Sequence, residues 1–288
     1  EVKLKETDKL EVSADANFYH YINVIKSKLL KSYDVKSFKK DNYNLLMALL
    51  FGEKTDLSKE ISTNYTQAGI IHILAISGLH IALIYGIVLW LTKPLLRFQK
   101  GKLYIFLISL CILWFYAILA GFSASIVRAA VMFSVVAFAK MINRQSNIYN
   151  SLAVSALLLL VYNPNYLFDV GFQLSFAAVL SIVIFQPLVR KYSYSKHLII
   201  LKIKELLLIS LVAQIGVLPL ILYYFGQFPL LFLLTNLIAI PLSSLILILV
   251  LALIPFNILL PKVAVYLSVF VNFLIELMNA FTAWIVKF

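Results

Sequence analysis

The sequence has little charge, few acidic residues and almost no cysteine. Charged residues occupy 13% of the 288 positions, hydrophobic residues occupy 62%, and the mean hydropathy is +0.94. A soluble domain of this composition would expose apolar patches large enough to cause aggregation. The composition therefore excludes an ordinary soluble protein and predicts a polytopic integral membrane protein.

Signatures of catalysis and of metal binding are also missing. The single cysteine, Cys111, lies in an apolar run, where it cannot form a disulfide within the chain and is usually a packing residue. His72 and His80 are eight residues apart, about 12 Å along a helix, so one ion could not bind both. No phosphate-binding glycine loop is present. We therefore expect no enzymatic activity, metal or cofactor in this chain.

Acidic residues are concentrated at the start of the chain. Residues 1–67 hold eleven Lys and ten Asp or Glu, whereas residues 68–288 hold fourteen Lys or Arg and three acids. This contrast divides the chain into a helical N-terminal segment, 1–67, and a transmembrane domain, 68–288. Apolar residues at helical spacing over 17–50 predict either amphipathic helices at the membrane surface or a solvated helical face. The chain begins at Glu1 without a signal peptide, and we interpret it as a fragment of a longer protein.

Eight hydrophobic stretches follow, most of them long enough to cross a bilayer. They predict an all-α helical bundle with an amphipathic N-terminal segment. The link Gly121–Ser125 is either a tight turn or a break in a re-entrant helix. No internal repeat is visible, so the inverted-repeat architecture of many transporters is not supported. The predicted spans lie near residues 69–92, 103–121, 124–141, 148–162 (short for a full crossing), 170–189, 204–224, 231–254 and 262–286.

Basic residues occur only in every second loop. The loops after the first, third and fifth spans carry Lys or Arg, and Lys262 opens the eighth span, whereas the links 121–125, 163–169 and 225–230 carry none. The positive-inside rule then places the basic loops in the cytoplasm. Residues 1–67 and the C-terminal end are predicted to lie outside.

Several polar side chains fall within the predicted spans, where they are costly and normally face the bundle interior or water. Simpler roles are open for them: Arg128 could reach the interface, Asp169 could cap the fifth span, and the histidines could be satisfied packing residues. Glu276 could pair with Arg128 or line water. The residues expected to line a polar path or hold the helices together are His72, Ser77, His80, Arg128, Asp169, Gln173 and Gln214.

Prolines interrupt the late spans close to amide side chains. Pro219 follows Gln214, and Pro241 follows Asn236. A proline inside a transmembrane helix frees a carbonyl and kinks the helix. These breaks predict either carbonyls that face a water-filled path or kinks that serve packing.

Four segments, in this order, resemble the membrane-embedded competence domain of the ComEC family of competence proteins. They are GIIHILAISGLH at 69–80, GFSASIVRAAVM at 121–132, DVGFQLSF at 169–176, and QIGVLPL at 214–220 running on to NLIAIP at 236–241. The resemblance covers roughly residues 45–260. It implies a channel in the bacterial inner membrane that passes single-stranded DNA into the cytoplasm during natural transformation.

The resemblance also implies partners and residue roles. Beside DNA and membrane lipids, the expected partners are a cytoplasmic helicase-type motor and an extracytoplasmic DNA receptor. Arg128 would contact phosphates or hold a helix through Asp169 or Glu276. The family often carries an OB-like domain before this region and a metallo-β-lactamase-like domain after it, and neither lies in these 288 residues.

Other functions compete with DNA uptake. A small-molecule or lipid-linked transporter would have a closed cavity too narrow for a nucleotide strand. In a non-conducting membrane scaffold, the polar residues would pair with one another. A membrane-embedded hydrolase is the most distant alternative, because the sequence shows no catalytic constellation.

Overall fold

A computed structural model describes residues 24, 26, 38–53, 56–74, 77–143, 147–226 and 231–287. These residues form eleven α-helices and two short 3₁₀ helices, at Lys93–Arg97 and Pro164–Phe168, and no strand. The helices are α1 (Lys40–Phe51), α2 (Lys59–Gln67), α3 (Ile71–Leu74), α4 (Gly78–Thr92), α5 (Gly101–Leu119), α6 (Ala124–Met141), α7 (Ile148–Tyr162), α8 (Val170–Ser193), α9 (Leu198–Phe225), α10 (Phe232–Leu259) and α11 (Pro261–Ile285).

Seven of the described helices are long and apolar enough to cross a membrane, and α7 is a shorter apolar helix of 15 residues. The seven are α4 with its 3₁₀ extension, α5, α6 and α8–α11. The predicted all-α bundle is confirmed, including the short fourth span. Helix α9 begins six residues earlier than predicted, at Leu198, because the polar stretch around Lys202 and Glu205 continues the helix beyond the apolar run.

The first predicted span, 69–92, is wrong at its start, because α4 begins only at Gly78. Helix α2 ends in a turn in which Gly69 has φ 75° and the N–H of Ile70 donates to the Tyr65 carbonyl at 2.9 Å. A positive φ of this kind is typical of a helix C-terminus closed by glycine. The apolar sequence continues across this turn, so hydropathy alone does not reveal it.

The link between α5 and α6 is a tight turn, one of the two alternatives that the sequence left open. Gly121 and Phe122 both have positive φ, 67° and 50°, and the N–H of Phe122 donates to the Ala117 carbonyl at 2.9 Å. Helix α6 starts two residues later, at Ala124. The two helices are therefore antiparallel neighbours, and the arginine in the second turn of α6 lies near the same end of the bundle as the turn.

Helix α1 is packed into the bundle. Leu45, Leu46 and Leu49 are buried in one hydrophobic cluster with Ile275 and Met278 of α11. Burying a leucine side chain stabilises a fold by about 1.5–3 kcal/mol. Over the residues from 40 onward, the apolar face predicted within 17–50 is thus buried against the bundle, and the alternative of a helix at the membrane surface stays a prediction. Most of 17–37 lies outside the described residues.

Polar contacts also join the N-terminal helices to α11. Asn42 donates to Asn272 Oδ1 at 2.9 Å and accepts from Asn279 Nδ2 at 3.3 Å. Tyr65 donates its hydroxyl to Asn279 Oδ1 at 2.8 Å, and burial raises the pKa of Tyr65, which keeps that hydroxyl a donor. Unpaired amides in such a buried setting would be costly. The network therefore fixes the register of α1 and α2 on α11.

Glu276 belongs to the same network. Its Oε1 atom lies 2.8 Å from Lys39 Nζ and accepts weaker bonds from Asn42 and Asn272, each at 3.4 Å. The partner of Glu276 is therefore Lys39 rather than Arg128, one of the roles that the sequence had left open.

Asn42→Ala tests this network. Asn42 is buried, and its removal leaves Asn272 Oδ1 and Asn279 Nδ2 without the partner that Asn42 provides, so we expect a loss of about 1–3 kcal/mol in the free energy of unfolding. Unfolding by denaturant in detergent micelles measures it. The control is Lys40→Ala, an exposed position on the same helix, which should change stability by less than about 0.5 kcal/mol. Equal stabilities for the two variants would contradict the role of Asn42.

Helices α8 and α9 form a closely packed antiparallel pair. A Cβ atom added at Gly216 would lie 2.4 Å from the Cβ of Ser181 and 2.9 Å from the Ala177 carbonyl oxygen. At the same contact, Ser181 donates its hydroxyl to the Val212 carbonyl at 2.7 Å. Among the 28 residues of α9, Ser210 and Val212 are buried, so the buried part of α9 lies at or next to this contact.

The prolines occupy different positions in the helices. Pro261 begins α11, whereas Pro219 lies inside α9 and Pro241 inside α10. Inside α8, Pro187 removes the N–H that would bond to the Val183 carbonyl. The Tyr149 hydroxyl of α7 lies 3.4 Å from that carbonyl and donates to it. The carbonyl that this proline leaves without its helical partner is therefore satisfied by a neighbouring helix, so Pro187 serves helix packing.

Candidate functional site

Helices α4, α6 and α8 begin at the same end of the bundle, and α9 ends there. A Cβ atom at Gly78, the first residue of α4, would lie 3.9 Å from the Cβ of Ala129 in α6. Arg128 of α6 contacts Asp169 at the start of α8. Five of the seven candidate residues therefore share this end. We use the name polar layer for Ser77, His80, Arg128, Asp169 and Gln173, together with Tyr224 of α9.

Arg128 and Asp169 form an ion pair. Arg128 Nη1 lies 3.2 Å from Asp169 Oδ1, and the arginine side chain is only 7% exposed, against 44% for the aspartate. The same Oδ1 accepts the backbone N–H of Phe172 at 2.6 Å, which caps α8. The two sequence-based roles of Asp169, helix cap and partner of Arg128, are thus both filled by one oxygen atom.

Space for the arginine depends on a glycine. A Cβ atom at Gly171 would lie 3.2 Å from Asp169 Oδ1 and 3.3 Å from Arg128 Nη2. A larger residue would therefore crowd the ion pair. Arg128 Nε is buried and has no hydrogen-bond partner within the described part of the chain. The guanidinium thus keeps one unused donor next to a small space lined by Ala124, Val127, Leu159 and Tyr166.

Gln173 connects three elements. Its Nε2 donates to the Leu167 carbonyl in the second 3₁₀ helix at 2.8 Å, and its Oε1 accepts the Tyr224 hydroxyl at 2.9 Å. The amide therefore joins α8 to α9 and to the link before α8. Sequence analysis missed Tyr224, because a tyrosine near the end of an apolar helix looks like any interfacial tyrosine.

Ser77 and His80 make a local pair at the start of α4. His80 Nδ1 accepts the backbone N–H of Ser77 at 3.1 Å and lies 3.0 Å from the Ser77 hydroxyl. Because Nδ1 is an acceptor here, a neutral imidazole carries its proton on Nε2. His80 is 3% exposed. These contacts fix the first turn of α4, and they match the simpler expectation of a satisfied packing histidine.

The other two candidate residues are His72 and Gln214. His72 belongs to the single-turn helix α3, is exposed, and lies close enough to His80 of the polar layer for the two rings to interact electrostatically. Gln214 lies near the middle of α9, and its Nε2 is buried without a partner among the residues that the structure describes. Over the same residues, no group of three or more His, Cys, Asp or Glu could hold a metal ion. The absence of a cofactor and of catalysis stays a prediction.

The opposite end of the bundle is strongly basic. It holds eleven described Lys or Arg residues and one acid, Glu205, which lies 3.2 Å from Lys202. The two ends of the bundle therefore differ in charge, since the polar layer pairs its arginine with an aspartate. The basic residues are Lys93, Arg97, Lys100, Lys102, Lys140, Arg190, Lys191, Lys196, Lys202, Lys204 and Lys262.

Comparison with known proteins places the sequence in a family. The family described as Competence protein matches residues 49–288, which include every helix from α2 to α11. The chain belongs to this family. The resemblance that the four motifs indicated is thereby confirmed, and the motifs supply Arg128, Asp169, Gln173, Ser77 and His80 of the polar layer. Together with its apolar helices, the match makes the chain a multi-pass membrane protein of the competence family.

Three relatives illustrate the family. The chain is 30% identical to ComE operon protein 3 of Bacillus subtilis over 202 residues, 70% of the chain and 25% of that protein. It is 28% identical to competence protein ComA of Neisseria gonorrhoeae over 50% of the chain and 21% of that protein. It is 32% identical to recombination protein 2 of Haemophilus influenzae over 47% of the chain and 18% of that protein. The chain thus spans about a quarter or less of the length of these relatives. No solved structure shows a significant match.

Proposed function

We propose that this chain forms the membrane-embedded part of a channel that passes single-stranded DNA across the bacterial inner membrane during natural transformation. The observation that carries the proposal is the polar layer, because family motifs far apart in sequence supply an arginine, an aspartate and an amide to one end of an apolar bundle. Ionisable residues at membrane depth are expensive and usually functional.

Charge gives the proposed channel a direction. The positive-inside rule orients the basic end toward the cytoplasm and the polar layer toward the outside. An incoming strand would then first reach the end of the bundle that holds the exposed tyrosines of α9 and the polar layer, in which Arg128 is buried. Single-stranded DNA binds through cations that contact phosphates and aromatic rings that stack on bases. Tyr223 supplies such a ring, since it is 81% exposed and its centroid lies 5.0 Å from that of Tyr224.

The proposed partners follow from this orientation. A DNA receptor would act on the outer side, where the polar layer lies, and a helicase-type motor would act at the basic cytoplasmic end. The basic end offers phosphate contacts to a strand that leaves the channel. The same rule predicts that both chain termini lie outside the cytoplasm.

A membrane scaffold without a conducting role is the second candidate, and one observation favours it. Arg128 pairs with Asp169, and Gln173 uses both ends of its amide within the protein. Paired polar residues are what a scaffold requires. In that case uptake of DNA would depend on the amount of folded protein, not on the identity of these side chains.

Uptake of labelled DNA by cells separates the two candidates. We expect Gln173→Ala and Arg128→Ala in the full-length protein to leave DNA bound outside and to lower its arrival in the cytoplasm by about tenfold or more, the equivalent of roughly 1.4 kcal/mol in a barrier. The control is Gly86→Ala, because a Cβ atom there meets nothing within 4 Å. Immunoblots of membranes give the protein level of each variant.

The two candidates predict different dependence on protein level. A conducting role requires that uptake per folded molecule falls in the Gln173→Ala variant. If Arg128→Ala, Gln173→Ala and His80→Ala all support normal transformation at normal protein levels, the proposed channel is wrong. If uptake changes only in proportion to protein level, the scaffold is the correct function.

A further inference from the structure

The apolar helices α4–α11, counted without the 3₁₀ extension of α4, fall into two length groups. Helices α4–α7 contain 15, 19, 18 and 15 residues, whereas α8–α11 contain 24, 28, 28 and 25. At a rise of 1.5 Å per residue, α7 is about 22 Å long and α9 about 42 Å. The hydrocarbon core of a bilayer is about 30 Å thick. Helix α7 is thus shorter than the core by about 8 Å.

Polar residues fix both ends of α7. At its start, the Asn147 side chain accepts the backbone N–H of Tyr149 at 3.1 Å. At its end, the Asn163 side chain accepts the N–H of Asn165 at 3.0 Å, and Pro164 cannot continue the helix. The helix therefore cannot lengthen to match a thicker bilayer.

One face of α7 is open along its whole length. Val154, Leu157, Leu158 and Val161 are exposed, and Tyr162 at the end of the helix is 82% exposed. The opposite face, with Ser151, Leu152, Ser155 and Leu159, is buried. No other described part of the chain covers the open face. In a bilayer this apolar face would contact acyl chains, so the described part of the chain does not conceal the mismatch in length.

The neighbouring helix α6 has a short apolar section too. Lys140 follows Arg128 by twelve residues, about 18 Å along the helix, and no charged residue lies between them. Arg128 belongs to the polar layer at one end, and Lys140 is exposed at the basic end. Polar groups from the two sides of the membrane therefore approach each other more closely along α6 than the core thickness.

We infer that the bilayer is locally thinned beside α6 and α7, so that this side of the bundle is an interaction surface for a compressed lipid layer. A bilayer thins around a hydrophobic stretch that is shorter than its core, at a modest cost per ångström. This inference does not depend on the transport of DNA. Combined with the proposed function, it implies that a DNA strand would have the shortest path across the membrane on the α6–α7 side, where the bilayer is thinnest.

Spin labels on the open face of α7 test the inference. In the full-length protein with Cys111→Ser and its other cysteines replaced, single labels are placed by Ile148→Cys, Val154→Cys and Tyr162→Cys. Collision rates with oxygen and with a nickel chelate, measured in dioleoyl phosphatidylcholine vesicles, give the depth of each label. We expect both end labels at the lipid–water interface, about 21 Å apart along the helix axis. Val154 should lie in the hydrocarbon core.

Control labels on α9 calibrate the ordinary thickness. Leu198→Cys and Leu222→Cys lie at exposed positions on this long helix, and they should be separated by more than the thickness of the unperturbed core. An end label of α7 at the same depth as Val154 would overturn the inference, and so would labels on α7 that oxygen cannot reach. Normal DNA uptake in the Arg128→Ala, Gln173→Ala and His80→Ala variants would contradict only the proposed function, because the spin-label readout does not involve DNA.

Discussion

Asp169→Ala is expected to lower the free energy of unfolding by about 3–5 kcal/mol, the usual cost of leaving a buried charge without its partner. Arg128 is almost fully buried, and Asp169 Oδ1 is its ion-pair partner at 3.2 Å. The same substitution removes the cap of α8, which alone is worth about 0.5–2 kcal/mol. Denaturant titration of the purified protein in detergent, followed by circular dichroism, measures the change.

Two further variants separate the charge from the cap. Asp169→Asn keeps an oxygen for the Phe172 N–H and removes only the charge, so its loss should be smaller than that of Asp169→Ala. In an Arg128→Met variant, Asp169→Asn should lower the free energy of unfolding by less than it does in the original protein, because no buried cation remains. The matched control is Glu205→Ala, which breaks the exposed pair with Lys202 and should cost less than about 1 kcal/mol. A loss no larger than this control for Asp169→Ala would contradict the buried ion pair.

Gly216→Ala should separate α8 from α9 and lower stability by about 1–3 kcal/mol, the cost of overpacking a well-packed contact. The new methyl carbon would lie 2.4 Å from the Cβ of Ser181, and both atoms are attached directly to backbone. The helices must therefore shift, and the bond from Ser181 to the Val212 carbonyl would be strained. A disulfide or chemical cross-link between the helices, compared before and after substitution, reports the separation.

Gly86→Ala is the matched control for this substitution. A Cβ atom at Gly86 has no neighbour within 4 Å, and alanine is favoured over glycine in a helix by about 1 kcal/mol. Stability should therefore stay constant or rise. Adding Ser181→Gly to Gly216→Ala should recover part of the loss, although the Ala177 carbonyl still lies 2.9 Å from the new carbon. Equal stability of Gly216→Ala and Gly86→Ala would show that the close approach does not matter.

Much of the bundle follows from hydropathy and loop charge. The spans at 124–141 and 148–162 coincide with α6 and α7, because each is bounded by polar residues or glycine that also end the helix. Asp169 was open to two roles in the sequence. Its position before an apolar helix predicts a cap. Its pairing with Arg128, 41 residues earlier, requires that the starts of α6 and α8 lie side by side in the fold. This proximity is a tertiary contact, and no local sequence pattern predicts it.

The remaining features were hidden for related reasons. The turn at Gly69 interrupts an apolar run without changing its hydropathy, so the start of α4 was misplaced. The docking of α1 on α11 depends on Asn42 facing Asn272, a contact between residues 230 positions apart. An asparagine among lysines reads as a solvated residue until its partner is known. Sequence patterns thus predict elements well and long-range polar contacts poorly.

The uneven charge of the two ends has a consequence for the membrane potential. Turning the bundle over would carry a net charge of about ten through the field, on the order of 20 kcal/mol for each 100 mV of potential. A membrane potential that is negative on the basic side therefore stabilises this orientation of the bundle relative to the inverted one. Once the bundle is inserted in that orientation, two costs oppose its inversion. One is the work against the membrane potential, and the other is the free energy required to dehydrate the basic loops.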